Sequence, residues 1–136
     1  MKKRLWYMIL PVMTLILEIL PYGAVCNFAH PAEDGSIEHA RKLYSYFDLV
    51  PYGYANIGPL FTAIVTCIVL VFLVIHVFTG KKRLLVVVRR ILCVGVLFSL
   101  GPLMFGVNYL SIIGVLITVF LVAEWMLLRF YGGSAE

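Results

Sequence analysis

Hydrophobic residues fill three long stretches of this chain, and polar residues gather between them. The stretches cover residues 5–22, 57–79 and 91–128. A helix needs about 20 mostly apolar residues to cross a bilayer, so the third stretch is too long for one crossing. Gly101-Pro102 and Gly106-Val107-Asn108 interrupt it, and such clusters are typical of turns between helices. The pattern therefore predicts four helices, over about residues 5–22, 57–79, 90–106 and 109–130.

The segment between the first two helices, residues 23–56, is the only sizeable part outside the membrane, and it is too short to bury a core of its own. Ser36 is a possible helix N-cap, and Glu38 and Lys42 stand four residues apart in a favourable order. Apolar residues then recur at helical spacing at Ile37, Ala40, Leu43, Tyr44 and Phe47. These features predict a short amphipathic helix over residues 36–47, lying on the membrane surface or against the bundle.

Composition supports a membrane class. The chain has 136 residues, of which 62% are hydrophobic and 13% are charged, and its mean hydropathy is +1.01. A soluble domain of this size would need far more polar surface. We therefore expect an all-α membrane protein, with residues 1–136 forming a single domain: a four-helix transmembrane bundle with a short amphipathic helix in the outer loop.

The basic residues predict the orientation of the bundle. With the N-terminus inside, two basic residues face outwards, Arg41 and Lys42, and nine face inwards. The inner set is Lys2, Lys3, Arg4, Lys81, Lys82, Arg83, Arg89, Arg90 and Arg129. Basic loops stay in the cytoplasm, so we expect a multi-pass plasma membrane protein with both termini cytoplasmic. The net charge of +4 then points to anionic lipid headgroups as partners and not to nucleic acid.

The first stretch also has a second interpretation, as a cleaved signal peptide. A basic start and an apolar core are common to signal peptides and membrane anchors. Glu18 interrupts the apolar core, and no small-x-small cleavage site follows it clearly. These two features favour an uncleaved anchor, and both interpretations stay open at this point.

Three ionisable residues within the stretches are candidate binding groups: Glu18, His76 and Glu124. Such groups are costly inside a membrane and are functional candidates by default. Glu18 follows Arg4 by 14 residues, or roughly 20 Å of helix, which predicts a position in the outer half. His76 and Glu124 each precede a basic residue by five positions, which predicts a similar inner depth for both.

Each candidate has a functional and a structural interpretation. His76 and Glu124 could form a pair that binds a proton or cation, or each could reach water at the inner boundary, with Glu124 pairing with Arg129. Glu18 could bind a proton, ligand or ion, or it could be held by an outer-loop donor. The donors available in the outer loop are His30, His39 and Arg41.

Other motifs are weaker. Helix breaks recur towards the outer side and could converge on a solute site or serve as caps and turns. They are Pro21-Tyr22-Gly23, Pro51-Tyr52-Gly53, Gly58-Pro59 and Gly101-Pro102. Cys26, Cys67 and Cys93 are too few and too separated for a disulfide framework. A weak outer metal site at His30 and His39 with Glu33, Asp34 and Glu38 is conceivable, but a mixed-charge loop is the simpler explanation.

The sequence carries no catalytic, cofactor or metal signature, so we expect no enzyme activity, cofactor or bound metal. The first functional hypothesis is an accessory or interaction subunit that packs against a membrane protein partner or forms a homo-oligomer. The alternative is a small oligomeric transporter or channel that uses Glu18 as a proton- or cation-binding group.

The predicted topology can be tested with reporter fusions. Fusions at Gly80 and after the last residue should both report the cytoplasm, because nine of the eleven basic residues then lie inside. A fusion at Gly35 should report the outside. An outside signal from the C-terminal fusion would contradict this topology.

Overall fold

The computed structural model describes residues 2–33, 35–48 and 57–132. This part of the chain contains four α-helices and one two-stranded antiparallel sheet. In chain order the elements are α1 (Lys2–Ile19), β1 (Ala24–Pro31), β2 (Ile37–Tyr44), α2 (Gly58–Thr79), α3 (Arg83–Ser99) and α4 (Ile112–Gly132). Two short 3-10 helices, Gly101–Phe105 and Val107–Tyr109, join α3 to α4.

The four predicted helices are present, with shifted ends. α1 ends at Ile19 because Pro21 disfavours helical backbone at the residue before it. α3 begins at Arg83, seven residues earlier than predicted, because Gly80 ends α2 in a left-handed conformation (φ 67°) and the chain turns back at once. The break at Gly101-Pro102 becomes a 3-10 turn, as its composition indicates.

Three helices are long and apolar enough to span a membrane. The spanning segments are Gly58–Thr79, Arg83–Phe105 and Ile112–Phe130. α1 has 18 residues and carries four charged ones, three at its start and Glu18 near its end. The structure therefore supports a membrane protein in which three helices are suited to span the bilayer by length and composition.

The helices pack in a closed ring around one core. α1 and α3 each pack against both α2 and α4. Buried positions recur every three or four residues, as in helices that bury one face. On α3 these positions are Leu85, Val88, Leu92, Gly95 and Ser99. The outward faces are apolar too, with large exposed side chains such as Trp6, Phe78 and Leu97. Such an exterior suits lipid.

The predicted amphipathic helix over residues 36–47 is wrong, because this segment forms β2. It pairs with β1 from Ala24 opposite Tyr44 to Pro31 opposite Ile37. Gly35, with φ 82°, makes the tight turn between the strands. β1 contains Val25 and Phe28, which favour strands, and it supplies the backbone partners that a helix would have found within itself.

The base of the hairpin is tied to the helices. The Tyr46 amide donates to the Glu18 carbonyl oxygen at 2.9 Å, at the end of α1. The Ser111 hydroxyl, just before α4, donates to the Gly23 carbonyl. The Arg41 guanidinium donates to the Leu110 carbonyl at 2.8 Å. These contacts hold the hairpin over the ends of α1 and α4.

Hydrogen exchange can distinguish the hairpin from a helix. Amides that face the partner strand should exchange slowly and those at the open edges quickly, so protection should alternate along Ile37–Tyr44. Residue-resolved exchange in nanodiscs would measure it. Continuous protection over residues 37–47 would indicate a helix instead of a strand. Uniformly fast exchange would exclude both structures.

Candidate functional site

A set of polar side chains lies inside the helix ring, facing the core and away from the lipid. We call it the polar seam. Its members are Thr14, Glu18, Thr62, Thr66 and Glu124. The accessible fraction is 0% for Glu18 and 2% for Glu124. Buried carboxylates need a partner or a proton, so this seam is the place where the structure concentrates chemistry.

Helical spacing places the α1 members of the seam on one face. Pro11, Thr14 and Glu18 are three and four residues apart, and all three are buried. The residues between them are apolar and outward, as Val12 and Ile16 show. α1 is therefore oriented with its polar stripe inwards, which brings Glu18 against α2 and α4.

The Glu18 side chain accepts one hydrogen bond. The Thr66 hydroxyl donates to Oε1 at 2.7 Å, and that hydroxyl also lies 3.2 Å from the Thr62 carbonyl. Glu18 Oε2 has no partner among the described residues. The Thr62 hydroxyl donates to the Gly58 carbonyl at 2.8 Å. One carboxylate oxygen of Glu18 thus accepts a hydrogen bond, whereas the other is buried without one.

Glu124 lies in the interior of α4, away from both of its ends. It stands twelve residues after the start of α4 and eight before its end. Neither carboxylate oxygen has a hydrogen-bond partner in the described part of the chain. Arg129 lies over the Trp125 ring at 5.9 Å and does not bond to Glu124. The described residues thus contain no hydrogen-bonded partner for this carboxylate.

Glu18 and Glu124 lie inside the same helix ring. Their helices α1 and α4 pack together, and both side chains are buried. Among the described residues no Lys or Arg forms a hydrogen bond with either side chain. Two negative charges would repel each other in this apolar interior, so the arrangement favours a species that neutralises them, such as a proton or a small cation.

His76 lies at the opposite end of the bundle from Glu18. Its ring is 3% exposed, and Nδ1 is 3.0 Å from the Lys81 carbonyl. A hydrogen on Nδ1 would donate to that carbonyl and brace the turn between α2 and α3. The Tyr7 ring meets His76 edge-on at 6.2 Å. The structure thus buries Glu18 and Glu124 in one helix ring and leaves His76 in a contact with the turn after α2.

The outer-loop donors proposed for Glu18 do not reach its side chain. His30 and His39 are exposed on the hairpin, and Arg41 bonds to the Leu110 carbonyl instead. The residues that meet the end of α1 are Ser45 and Tyr46, through the Glu18 backbone carbonyl. The hairpin therefore caps α1 without neutralising the carboxylate.

Sequence reasoning missed four residues of this region: Thr14, Thr62, Thr66 and Tyr46. Thr62 and Thr66 are four residues apart in an apolar stretch, a polar spacing that would have placed them on one helix face. Tyr46 falls within the predicted surface helix over residues 36–47, but in the structure its side chain is only 2% exposed. Burial, with a smaller effect from the Glu18 charge, raises the pKa of its hydroxyl, so the phenol stays neutral.

The weaker motifs are structural where they can be assessed. Pro59 and Pro102 occupy first turns of their helices, where proline is tolerated. Cys26, Cys67 and Cys93 are not joined to one another by a disulfide bond. The described residues contain no group of three acidic, histidine or cysteine side chains suited to a metal. Pro51-Tyr52-Gly53 and Asp34 lie outside the described residues.

Comparison with known proteins gives no assignment. No protein-family model, curated protein or solved structure matches this chain. The polar seam and its surroundings are therefore the basis of the function proposed here.

Proposed function

We propose that this chain is a small multi-pass plasma membrane protein that binds a proton or a small cation at Glu18 and Glu124. In this role it acts as the ion-binding unit of a small oligomeric transporter. The observation that carries the proposal is the pair of buried carboxylates with three oxygens that lack hydrogen-bond partners among the described residues. Such groups are expensive in a membrane unless they bind something.

The ligand chemistry follows from the atoms available. The seam offers carboxylate and hydroxyl oxygens only, which suit a proton or a hard cation. Calcium takes six to eight oxygen ligands and magnesium needs a near-ideal octahedron, which two carboxylates do not supply. A proton needs a single lone pair, and the neutral carboxyl is the form least costly to bury. A proton is therefore the first choice and a monovalent cation the second.

Packing supports a crossing by α1 as well. Its outward residues include Trp6 (70% exposed), Ile9 and Met13, all apolar, while Glu18 is enclosed. The Arg4 guanidinium donates to the Val77 carbonyl at 3.3 Å, at the end of α2 where basic residues cluster. A helix with charges at one end and inside the bundle can sit in lipid. We therefore infer four crossings with both termini in the cytoplasm.

Transport would require the seam to open and close. The core around it is filled with apolar side chains such as Leu73, Leu92 and Leu121, all inaccessible. Four short helices enclose little volume alone, so assembly with further copies is part of the proposal. This packing makes an alternating carrier a better fit than a permanently open channel.

A second candidate, an accessory or interaction subunit, is favoured by one observation. An open apolar groove between α3 and α4 faces outwards, where a partner helix could lie. It is lined by Cys93, Val96, Leu97, Val122 and Trp125. Lipid chains would cover the same groove equally well. That the protein is not an enzyme and uses no cofactor stays a prediction.

Substituting the carboxylates tests the proposed ion binding. If the native state holds a proton that the unfolded state releases, stability rises as pH falls. Wild-type protein in nanodiscs should therefore gain thermal stability on acidification, and Glu18→Gln with Glu124→Gln should flatten that dependence. Stabilisation by Na⁺ or K⁺ at fixed pH would indicate a cation instead.

Glu38→Gln is the matched control, because Glu38 is an exposed carboxylate on the hairpin. It should keep the wild-type pH dependence. A double Gln variant with the same pH and salt response as wild type would refute ion binding at the seam.

A further inference from the structure

We propose that the Tyr46 ring closes the outer end of the polar seam, and we call it the stopper. When this ring moves aside, the bound ion exchanges with the hairpin side of the membrane. This inference rests on the proposed function, since it assigns the access route of the same site. It concerns a residue outside the helices, which the ion-binding proposal does not use.

Tyr46 bridges the outer end of the helix ring. Its amide donates to the Glu18 carbonyl at 2.9 Å, which anchors it at α1. Its ring covers Gly23 so closely that a Cβ there would lie 2.8 Å from Cδ1. Its hydroxyl lies against α4, 3.2 Å from the position of a Cβ on Gly114. The ring therefore extends from the end of α1 to the start of α4.

The two glycines make this position possible. A side chain at Gly23 would collide with the ring, and one at Gly114 would crowd the hydroxyl. The absence of both side chains allows a large residue to be 2% exposed at the mouth of the bundle. The phenol is neutral and supplies no counter-charge, so its contribution to the site is steric.

The number of buried apolar residues differs between the outer and the inner side of Glu18. On the hairpin side, the buried core contains Tyr46 and Ala24, with Ala63 and Ile117 near the outer ends of α2 and α4. Towards the inner end, buried apolar residues continue over several helical turns of every helix from α2 to α4. They are Val69, Leu73, Val77, Leu85, Val88, Leu92, Leu121 and Leu128. Opening the inner side would separate helices over that length, whereas the outer end has fewer buried apolar residues, of which Tyr46 is the largest.

The attachment of Tyr46 suits such a movement. It follows the end of β2 and lies outside any helix or strand. Its neighbour Ser45 keeps the chain in place, because the Ser45 hydroxyl donates to the Glu18 carbonyl at 2.9 Å and its amide donates to Asp48 at 2.8 Å. The backbone can thus stay fixed while the side chain rotates.

Chemical labelling of Glu18 tests the stopper. A water-soluble carbodiimide with an added amine converts an accessible carboxyl group to an amide, with release of the urea, and peptide mass spectrometry measures the rate. In nanodiscs, Tyr46→Ala should raise the initial rate at Glu18 at least about tenfold, because local opening no longer has to displace the ring. Tyr46→Phe keeps the ring and should label like wild type.

Two glycine variants separate gating from general loosening. Gly23→Ala should also raise the rate, because its methyl group would displace the ring. Gly95→Ala is the control: its Cβ would lie 2.8 Å from Val65, an equal clash between α2 and α3 that does not involve Tyr46. It should leave the rate unchanged. If Tyr46→Ala does not fold, Gly23→Ala decides the question.

Wild-type rates in both Tyr46→Ala and Gly23→Ala, or an equal increase in Gly95→Ala, would overturn the stopper. The ion-binding proposal is refuted by a different result from the one that refutes the stopper. A stability that does not respond to pH or salt would remove the ion site even if Tyr46 controlled access. An intact response with unchanged labelling would remove the stopper alone.

Discussion

The burial of the Glu18 carboxylate is the constraint on which the rest of this structure depends. One oxygen accepts a hydrogen bond from Thr66 and the other has no partner in the described chain. A charged group in this position would face lipid if α1 were turned by half a turn. The inward orientation of the polar face of α1 and the contacts of α1 with α2 and α4 keep this group inside.

The hairpin completes that enclosure. α1 stops at Ile19, so the core would be open above Glu18 without a cover. Ser45 and Tyr46 bond to the last turn of α1, and Gly23 accepts from Ser111 beside α4. An isolated two-stranded hairpin is marginally stable in water, so these contacts support the hairpin while it closes the bundle. The same residues thus stabilise the hairpin and cover the outer end of the bundle.

Periodicity predicted the helices because apolar runs of about 20 residues have few alternatives in lipid. The hairpin was not predictable from local pattern, since residues 37–47 match a helical spacing and their strand partner lies earlier in the chain. Glu18 was recognised as a carboxylate at membrane depth. Its Thr66 partner and the burial of Glu124 in the same helix ring depend on how α1, α2 and α4 pack, which the local sequence pattern does not determine.

The central claim is that a carboxyl group of the seam holds a proton inside the membrane. Infrared difference spectroscopy of the protein in lipid near neutral pH tests it most directly, because a protonated carboxyl absorbs at a different frequency from a carboxylate. The account predicts a protonated-carboxyl band that is lost in Glu18→Gln or Glu124→Gln and shifted in Thr66→Val, which removes the hydrogen bond to Oε1. A spectrum with carboxylate bands only, unchanged by these substitutions, would contradict it.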